Sequence, residues 1–408
     1  MATIKKIPAI RFKGFEEGWE EKKLKELTLI KTGFPFDSKT FEIDGEYLVI
    51  TNGNIQNESS FVDSTLGNRI NLFDSNLKEY VLNIDDILVT MDGTVGRTAK
   101  VFEKKQILAQ RVGRLIANTN AEFLYHYLNT GSFFKKMTVV SHGGTIKHIS
   151  LLEISTFESY VPNDILEQTQ IGDYFKELDG LIHLQERKLK KVSNLKKAML
   201  EKMFPAANAD VPEIRFKGFT EKWEKKKLGE VADKIGDGLH GTPQYNENGN
   251  VFFINGNNLN NGEIIINNET KCVTEVEQSI NDQLLNTETI LISINGTIGN
   301  LAFYNKEKIM LGKSVAYIIL NGINKVFIYA YLQSPVISGF FNDNLTGSTI
   351  KNLGLKTIRN TEMLIPSKEE QQKIGEYFLN LNKLINQSQQ KITQLKHLKQ
   401  ALLQKMFI

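Results

Sequence analysis

Cysteine is nearly missing: Cys272 is the single one among 408 residues. That excludes an internal disulfide framework and a multi-cysteine zinc site. Long apolar runs are missing too. Runs such as TILISI and AYIIL are strand-length, far short of the ~20 residues that cross a bilayer. The opening MATIKKIPAIRF lacks the apolar core of a secretory signal. A cytoplasmic protein with no membrane association is therefore expected. Charge of one sign is scarce. Lys and Arg total 50 against 47 Asp and Glu, a net of +3, so any nucleic-acid binding must come from local patches.

Catalytic signatures are equally thin. There is no G-x-x-x-x-G-K-[ST] phosphate loop, no H-E-x-x-H among the six histidines, and no Asn-Pro-Pro-aromatic stretch. GDGLHG, with Gly236, Gly238 and Gly241, fits G-x-G-x-x-G, but Thr242-Pro243 follows where a dinucleotide fold needs a helix. Asp85, Asp86 and Asp92 with Glu103 and Lys105 suggest a metal nuclease. The second half of the chain has Asn295 in place of Asp92, which favours a solvated charge cluster. His126 lies on an apolar segment and reads as a packed or half-exposed helix residue.

Proline is absent from residues 171–203 and 374–406, and these are the two stretches that organise the chain. In the first, Ile171, Phe175, Leu178, Ile182, Leu189, Val192, Met199 and Met203 have the spacing of one helix face, which Tyr174, Leu181 and Leu195 widen. The second repeats the pattern at an offset of 203 residues through Ile374, Phe378, Leu381, Ile385, Ile392, Leu395 and Met406. Helices of ~33 residues, ~50 Å long, with such stripes pair rather than stay single in water.

The repeat extends through the whole chain, and internal repeats take precedence over other signals. IPAIRFKGFEEGWEEKKLKEL from Ile7 is matched by VPEIRFKGFTEKWEKKKLGEV from Val211. GTVG at Gly93 is matched by GTIG at Gly296, FLYHYL at Phe123 by FIYAYL at Phe327, and GTIKHI at Gly144 by STIKNL at Ser348. Pro162 and Pro366 then lead into the long helices. Asp164 with Glu167, and Ser367 with Glu370, have capping-box spacing. The order is body, helix, body, helix. Each body combines short apolar strands such as ILVT and ILISI, glycine turns, and an amphipathic helix over FLYHYLNTGSFFKKM. The fold class is mixed α/β (α+β). The domains expected are residues 1–160, 161–205, 206–364 and 365–408.

This ordered set, given twice, resembles the specificity subunits of Type I restriction–modification systems. The resemblance rests on RFKGF with a downstream Trp, the GTVG and GTIG turns after an apolar strand, TIK near the end of each body, and a proline leading into EQTQIGDYF or EQQKIGEYF. It covers nearly the whole chain. It implies two target recognition domains, each reading half of a split double-stranded DNA site. It also implies an antiparallel coiled coil with a pseudo-two-fold, serving as spacer and as docking surface for two modification subunits. S-adenosylmethionine would then belong to those partners, and ATP with Mg²⁺ to restriction subunits. The chain itself would be non-catalytic.

Residues shared by both bodies suit shared tasks such as holding phosphate, and residues that differ suit base reading. Thr145 and Lys147 are matched by Thr349 and Lys351. His148 against Asn352, and Arg97 against Asn300, are differing pairs; Arg111, Arg114, His240 and Lys313 complete the expected DNA-facing set. Arg suits guanine and Asn adenine. The basic run over residues 187–197 reads as the solvated face of a coiled coil. Asparagine-rich residues 246–268 fit a DNA-reading loop or ordinary turns equally. Rival readings are a stand-alone nuclease or methyltransferase, and a coiled-coil scaffold that reads no DNA.

Overall fold

The computed structural model describes residues 6–408 except 57–58, 73, 279–281 and 283. The chain forms two compact units. One comprises Met1–Gln185 with Lys391–Ile408, the other Glu186–Gln390. Two long helices, Ile165–Lys202 and Lys368–Met406, each begin in one unit and end in the other.

The first unit has a four-stranded antiparallel sheet in the order Thr28–Thr32, Val112–Ala117, Ile87–Thr90, Thr98–Lys100. A three-stranded sheet joins Tyr47–Ile50 to Arg69–Ile70 on one side and, in parallel, to Gln106–Leu108 on the other. Glu20–Lys23 pairs with Glu158–Val161 and so brings the start of the body to its end. The second unit repeats this topology. Its four-stranded sheet runs Ala232–Asp237, Val315–Leu320, Thr289–Ser293, Leu301–Phe303. Its three-stranded sheet is built on Val251–Ile254. ILVT and TILIS are buried at every position, as apolar runs bounded by turns require.

The segment expected as one amphipathic helix over FLYHYLNTGSFFKKM is instead two, Ala121–Leu128 and Ser132–Val140. Gly131 between them takes φ 98°, a left-handed conformation that a helix interior cannot hold. Gly172 and Gly375 explain the IG-x-YF signature. A Cβ on Gly172 would lie 2.5 Å from Asn120 Oδ1, and one on Gly375 3.0 Å from Asn324 Oδ1. Those asparagines cap the Ala121–Leu128 and Lys325–Leu332 helices. Only glycine lets each long helix approach that cap so closely.

The two stripes are core. Ile171, Phe175, Leu178 and Ile182 are buried in the first unit, as are Ile374, Phe378 and Leu381 in the second. Ile392 and Leu395 are buried too, whereas Leu189, Val192 and Ile385 are only partly covered. Tyr174, Leu181 and Leu195 do not widen the buried stripe, since all three are exposed. They sit off the face that the body covers, where a leucine costs little.

Within each unit the beginning of one long helix runs antiparallel to the end of the other. In the first unit the Phe407 ring lies 5.9 Å from Phe175, 5.6 Å from Phe123 and 6.1 Å from Trp19. In the second, Phe204 takes the matching place, 5.6 Å from Phe378, 5.8 Å from Phe327 and 4.5 Å from Tyr331. Burying one such ring is worth ~1.5–3 kcal/mol. Ile10 N–H donates to Lys405 O at 2.9 Å, and Ile214 N–H to Lys202 O at 2.8 Å.

The capping boxes expected at the helix starts do not form as read. Glu167 and Glu370 point instead at arginines of the RFKGF segments. Arg11 donates two hydrogen bonds to Glu167, at 2.6 and 2.8 Å, and Arg215 two to Glu370, at 2.6 and 2.7 Å. Asp164 accepts from Leu166 N at 2.7 Å, and Ser367 Oγ from Glu370 N at 3.4 Å. A fork-to-fork ion pair with a buried carboxylate outweighs the return bond to a cap N–H.

One lysine from the end of each long helix is half-buried. Lys399 donates to Asp179 at 2.6 Å. Its repeat equivalent, Lys196, donates to neutral Gln333 at 2.7 Å, and Asn382 stands where the first unit has Asp179. Around Asp179 lie buried His126, Glu122 and Lys100, the last two 2.5 Å apart. His126 is fully buried, and burial together with Lys399 and Lys100 holds its pKa well below the usual histidine range. The second unit has Ala330, Val326 and Phe303 at those places.

Two predictions follow from these differences between the units. Trp19 Nε1 donates to Glu167 at 3.2 Å, whereas Trp223 Nε1, also buried, has no hydrogen-bond partner among the described residues. Trp19→Phe should therefore cost its unit ~1.5–3 kcal/mol more than Trp223→Phe costs the other. Hydrogen exchange in urea, read separately in each unit, gives the two values; equal losses would mean that the Trp19 bond contributes nothing. For Lys196, burial lowers the pKa from 10.5 to about 8. The unfolded chain then binds more protons than the folded one between those values, so stability rises as pH climbs from about 8 to about 10.5. Lys196→Met should abolish that rise and stabilise the second unit at pH 7. A variant with an unchanged pH slope would show that the slope has another source.

Candidate nucleic-acid interface

In each unit, loops from distant parts of the body converge on the end of the four-stranded sheet. The first is the glycine turn. After Ile87–Thr90 the chain turns through Gly93 at φ 74° and Gly96 at φ 81°; the counterparts Gly296 and Gly299 have 73° and 89°. Only glycine holds these angles without strain. A hydroxyl braces the turn from inside. Thr90 Oγ1 donates to Thr94 O at 2.6 Å and accepts from Arg97 N at 3.0 Å. Ser293 Oγ does the same with Thr297 O and Asn300 N.

The second loop carries TIK. His142 and His148 exchange backbone hydrogen bonds at 3.0 and 2.8 Å and close a hairpin; Thr346 and Asn352 do likewise at 2.9 and 2.8 Å. Thr145, Ile146 and Lys147 at the first tip are exposed, as are Thr349, Ile350 and Lys351 at the second. Gly93 N–H donates to Lys147 O at 2.9 Å, which docks this hairpin on the glycine turn.

The third loop follows Gln106–Leu108 in one unit and Ile309–Leu311 in the other. Met91 N–H donates to Arg111 O at 3.2 Å and Ile294 N–H to Ser314 O at 2.9 Å. The structural equivalent of Arg111 is thus Ser314, and Lys313 matches Gln110. His240, on the loop after Ala232–Asp237, is exposed and makes a 2.7 Å contact with Asp237 Oδ2. That loop meets the third through the bridge Leu239↔Gly312.

A fourth loop falls, in the second unit, within the asparagine-rich residues 246–268, left open between a DNA-reading loop and ordinary turns. In the first unit it falls at a place the sequence did not single out. Thr51 N–H donates to Asn54 Oδ1 at 2.9 Å, and Asn255 N–H to Asn258 Oδ1 at 3.0 Å, so each closes the same short turn. Asn52 Oδ1 accepts from Met91 N at 3.1 Å. Ser314 Oγ donates to Asn255 Oδ1 at 3.1 Å. The available signal was the NGN of residues 52–54 and the NGNN of residues 255–258, one more element of the repeat. It also gives part of the asparagine-rich stretch a defined task.

The expected DNA-facing residues separate into two groups. Arg111, Thr145, Lys147, His148, His240, Asn300, Lys313, Thr349, Lys351 and Asn352 all lie on these loops, exposed or half-exposed. Arg97 also starts from the glycine turn, but its Nε is buried with no hydrogen bond among the described residues. Arg114 must be corrected. Its side chain is 4% exposed, pairs with Asp86 at 2.6 Å, and donates to Glu79 O and Val81 O. Its cation is committed to the core: Arg114 faces Leu88 across the sheet and closes over a carboxylate whose pKa burial raises and Arg114 draws down. That also removes Asp86 from the nuclease reading, and among the described residues no three His, Cys, Asp or Glu side chains converge to hold a metal. GDGLHG ends a strand, Ala232–Asp237, and passes into a loop; no helix follows.

Comparison with known proteins fits this arrangement. The type I restriction enzyme EcoBI specificity subunit of Escherichia coli is 21% identical, over 96% of this chain and 86% of its own length. The type I restriction enzyme MjaVIII specificity subunit of Methanocaldococcus jannaschii is 23% identical, over 76% and 75%. Among solved structures, the S subunit of a Type I restriction–modification system from M. genitalium superposes with a TM-score of 0.70 at 17% identity, covering 98% of this chain and 99% of that one. A chain from a study of complex assembly and conformational transition of the type I R-M system superposes at 0.51 with 19% identity, covering 96% and 98%. Residues 16–194 and 220–397 each match the Type I restriction modification DNA specificity domain, and the chain belongs to that family.

Proposed function

We propose that this chain is the sequence-specificity subunit of a Type I restriction–modification complex. Residues 1–160 and 206–364 serve as target recognition domains, and residues 161–205 and 365–408 as the helices that link them. The observation that carries this reading is the exposed TIK hairpin beside a glycine turn, present in both units on the same backbone frame. Identical tips suit the phosphate backbone, which is the same at both half-sites. The differing residues around them suit bases, which are not.

The chemistry resides elsewhere. S-adenosylmethionine belongs to two modification subunits, and ATP and Mg²⁺ to restriction subunits; this chain is non-catalytic and works in the cytoplasm. Among the described residues no helix is long and apolar enough to cross a membrane. Phe175 and the other buried residues of the stripe are unavailable to a partner, so docking falls to the partly covered positions and to leucines outside it. Leu181 and Leu195 in the first long helix and their repeat equivalents Leu384 and Leu398 in the second are all exposed. Matching apolar positions on both helices suit two copies of one partner.

Lys147 and Lys351 provide the test. Replacing either by Ala should weaken the assembled complex alike on all DNA sequences and lower the slope of log K against log salt by ~1. A change in preferred sequence with the slope intact would assign them to bases instead. Methyl transfer or Mg²⁺-dependent cleavage by the purified single chain would replace this reading with that of an enzyme. Sequence-independent binding by the assembled complex would leave a scaffold.

A further inference from the structure

Three polar side chains from three loops, Asp92, Arg111 and His148, meet on the interface of the first unit. His148 Nδ1 donates to Asp92 Oδ1 at 2.5 Å. Arg111 Nη1 lies 3.7 Å from the same oxygen and 3.4 Å from His148 Nδ1. Asp92 and His148 are mostly covered, but the Arg111 side chain is 55% exposed. Arg111 also has φ 70°, a left-handed conformation that is strained for a non-glycine residue. A surface arginine kept at a strained position, with a carboxylate 3.7 Å from one guanidinium nitrogen, leaves its other N–H donors open to solvent.

The second unit has the same frame without the charges. Asn295 replaces Asp92, Asn352 replaces His148 and Ser314 replaces Arg111. The bridges Asp92↔His148 and Asn295↔Asn352 are equivalent. Ile149 N–H donates to Met91 O and Leu353 N–H to Ile294 O, both at 2.9 Å. Asn295 Nδ2 donates to Lys313 O at 3.3 Å. One backbone geometry therefore presents a cationic fork in one body and carboxamides in the other.

Resting on the specificity-subunit reading above, we propose that Arg111 reads a guanine in the half-site of the first body. Asp92 and His148 are its positioning residues. The corresponding base of the second half-site is an adenine read by Asn352. A guanidinium presents two parallel N–H donors to guanine O6 and N7, whereas a carboxamide matches the acceptor and donor of adenine N7 and N6. Asp92 draws the guanidinium from one side, and His148 fixes Asp92 through its short hydrogen bond.

The experiment maps methylation directed by the full-length chain with its modification subunits. Arg111→Ala should make one guanine position of one half-site degenerate, with discrimination there falling about tenfold to a hundredfold, and leave the other half-site unchanged. Arg111→Gly is the second variant, because glycine accepts φ 70° and keeps the loop in place. Asp92→Asn should relax the same position, whereas a merely structural Asp92 would lower modification everywhere with the motif intact. Asn352→Ala should relax an adenine in the opposite half-site. An unchanged motif with Arg111→Gly, or relaxation at a base pair without guanine, overturns the proposal and leaves the specificity-subunit reading standing. A wild-type chain that directs no split motif at all overturns that reading first.

Discussion

Each unit depends on one ion pair between an arginine near the start of its body and a glutamate in the first turn of its long helix. Arg11 reaches Glu167 and Arg215 reaches Glu370 with both oxygens engaged. Each glutamate is almost fully buried, so its charge is tolerable only because the guanidinium neutralises it in fixed geometry. The pair sets where the helix leaves the body. Everything further along that helix takes its position from there, including Gly172 or Gly375 against the cap of the body helix. The strands Glu20–Lys23 and Glu158–Val161 close the same junction from the backbone side.

On that fixed frame the two bodies diverge in a selective way. Turn geometry is kept: four glycines with φ near 70–90°, a hydroxyl inside each turn, and a hairpin closed by the same pair of backbone bonds. Side chains at the rim are not kept. Arg97 faces Asn300, His148 faces Asn352 and Arg111 faces Ser314 across the repeat. Core polarity diverges as well, with a buried charged network around Asp179 in one unit and mainly apolar residues in the other. A scaffold that fixes backbone with glycine and hydroxyl leaves its rim free to change chemistry without refolding.

Much of this was legible in the sequence. The repeat, the long helices, the buried ILVT and TILIS strands, the glycine turns and the TIK loops could all be read because each is a local pattern with a local cause. What could not be read depends on distant partners. Glu167 has capping-box spacing, and only Arg11, far away in sequence, reveals that its carboxylate is taken. Arg114 has the composition of a surface cation, but its alternation in Val112–Ala117 points it at Asp86 beneath the sheet. Arg111 and Lys313 both follow a strand without a stated counterpart, and hydrogen bonding matches Arg111 with Ser314. Leu181 and Leu195 have stripe spacing, and the sequence does not say where the body's covering surface ends. The NGN turn was passed over because asparagine-rich composition masks a short repeat.

The exchange of helix ends has a consequence for how the molecule is made. Trp19, Phe123 and Phe175 emerge early from the ribosome, but Phe407, which packs on all three, lies more than 200 residues downstream of Phe175. After residue 185 some 200 more must be translated, roughly 10–40 s at ~5–20 residues per second. The second body meets no such delay, since Phe204 precedes it in the chain. Vectorial synthesis therefore completes the C-terminal body first and the N-terminal body last. Throughout that interval the nascent N-terminal body carries an open aromatic slot, and another nascent chain on the same message bears the segment, ending in Phe204, that most closely imitates its occupant.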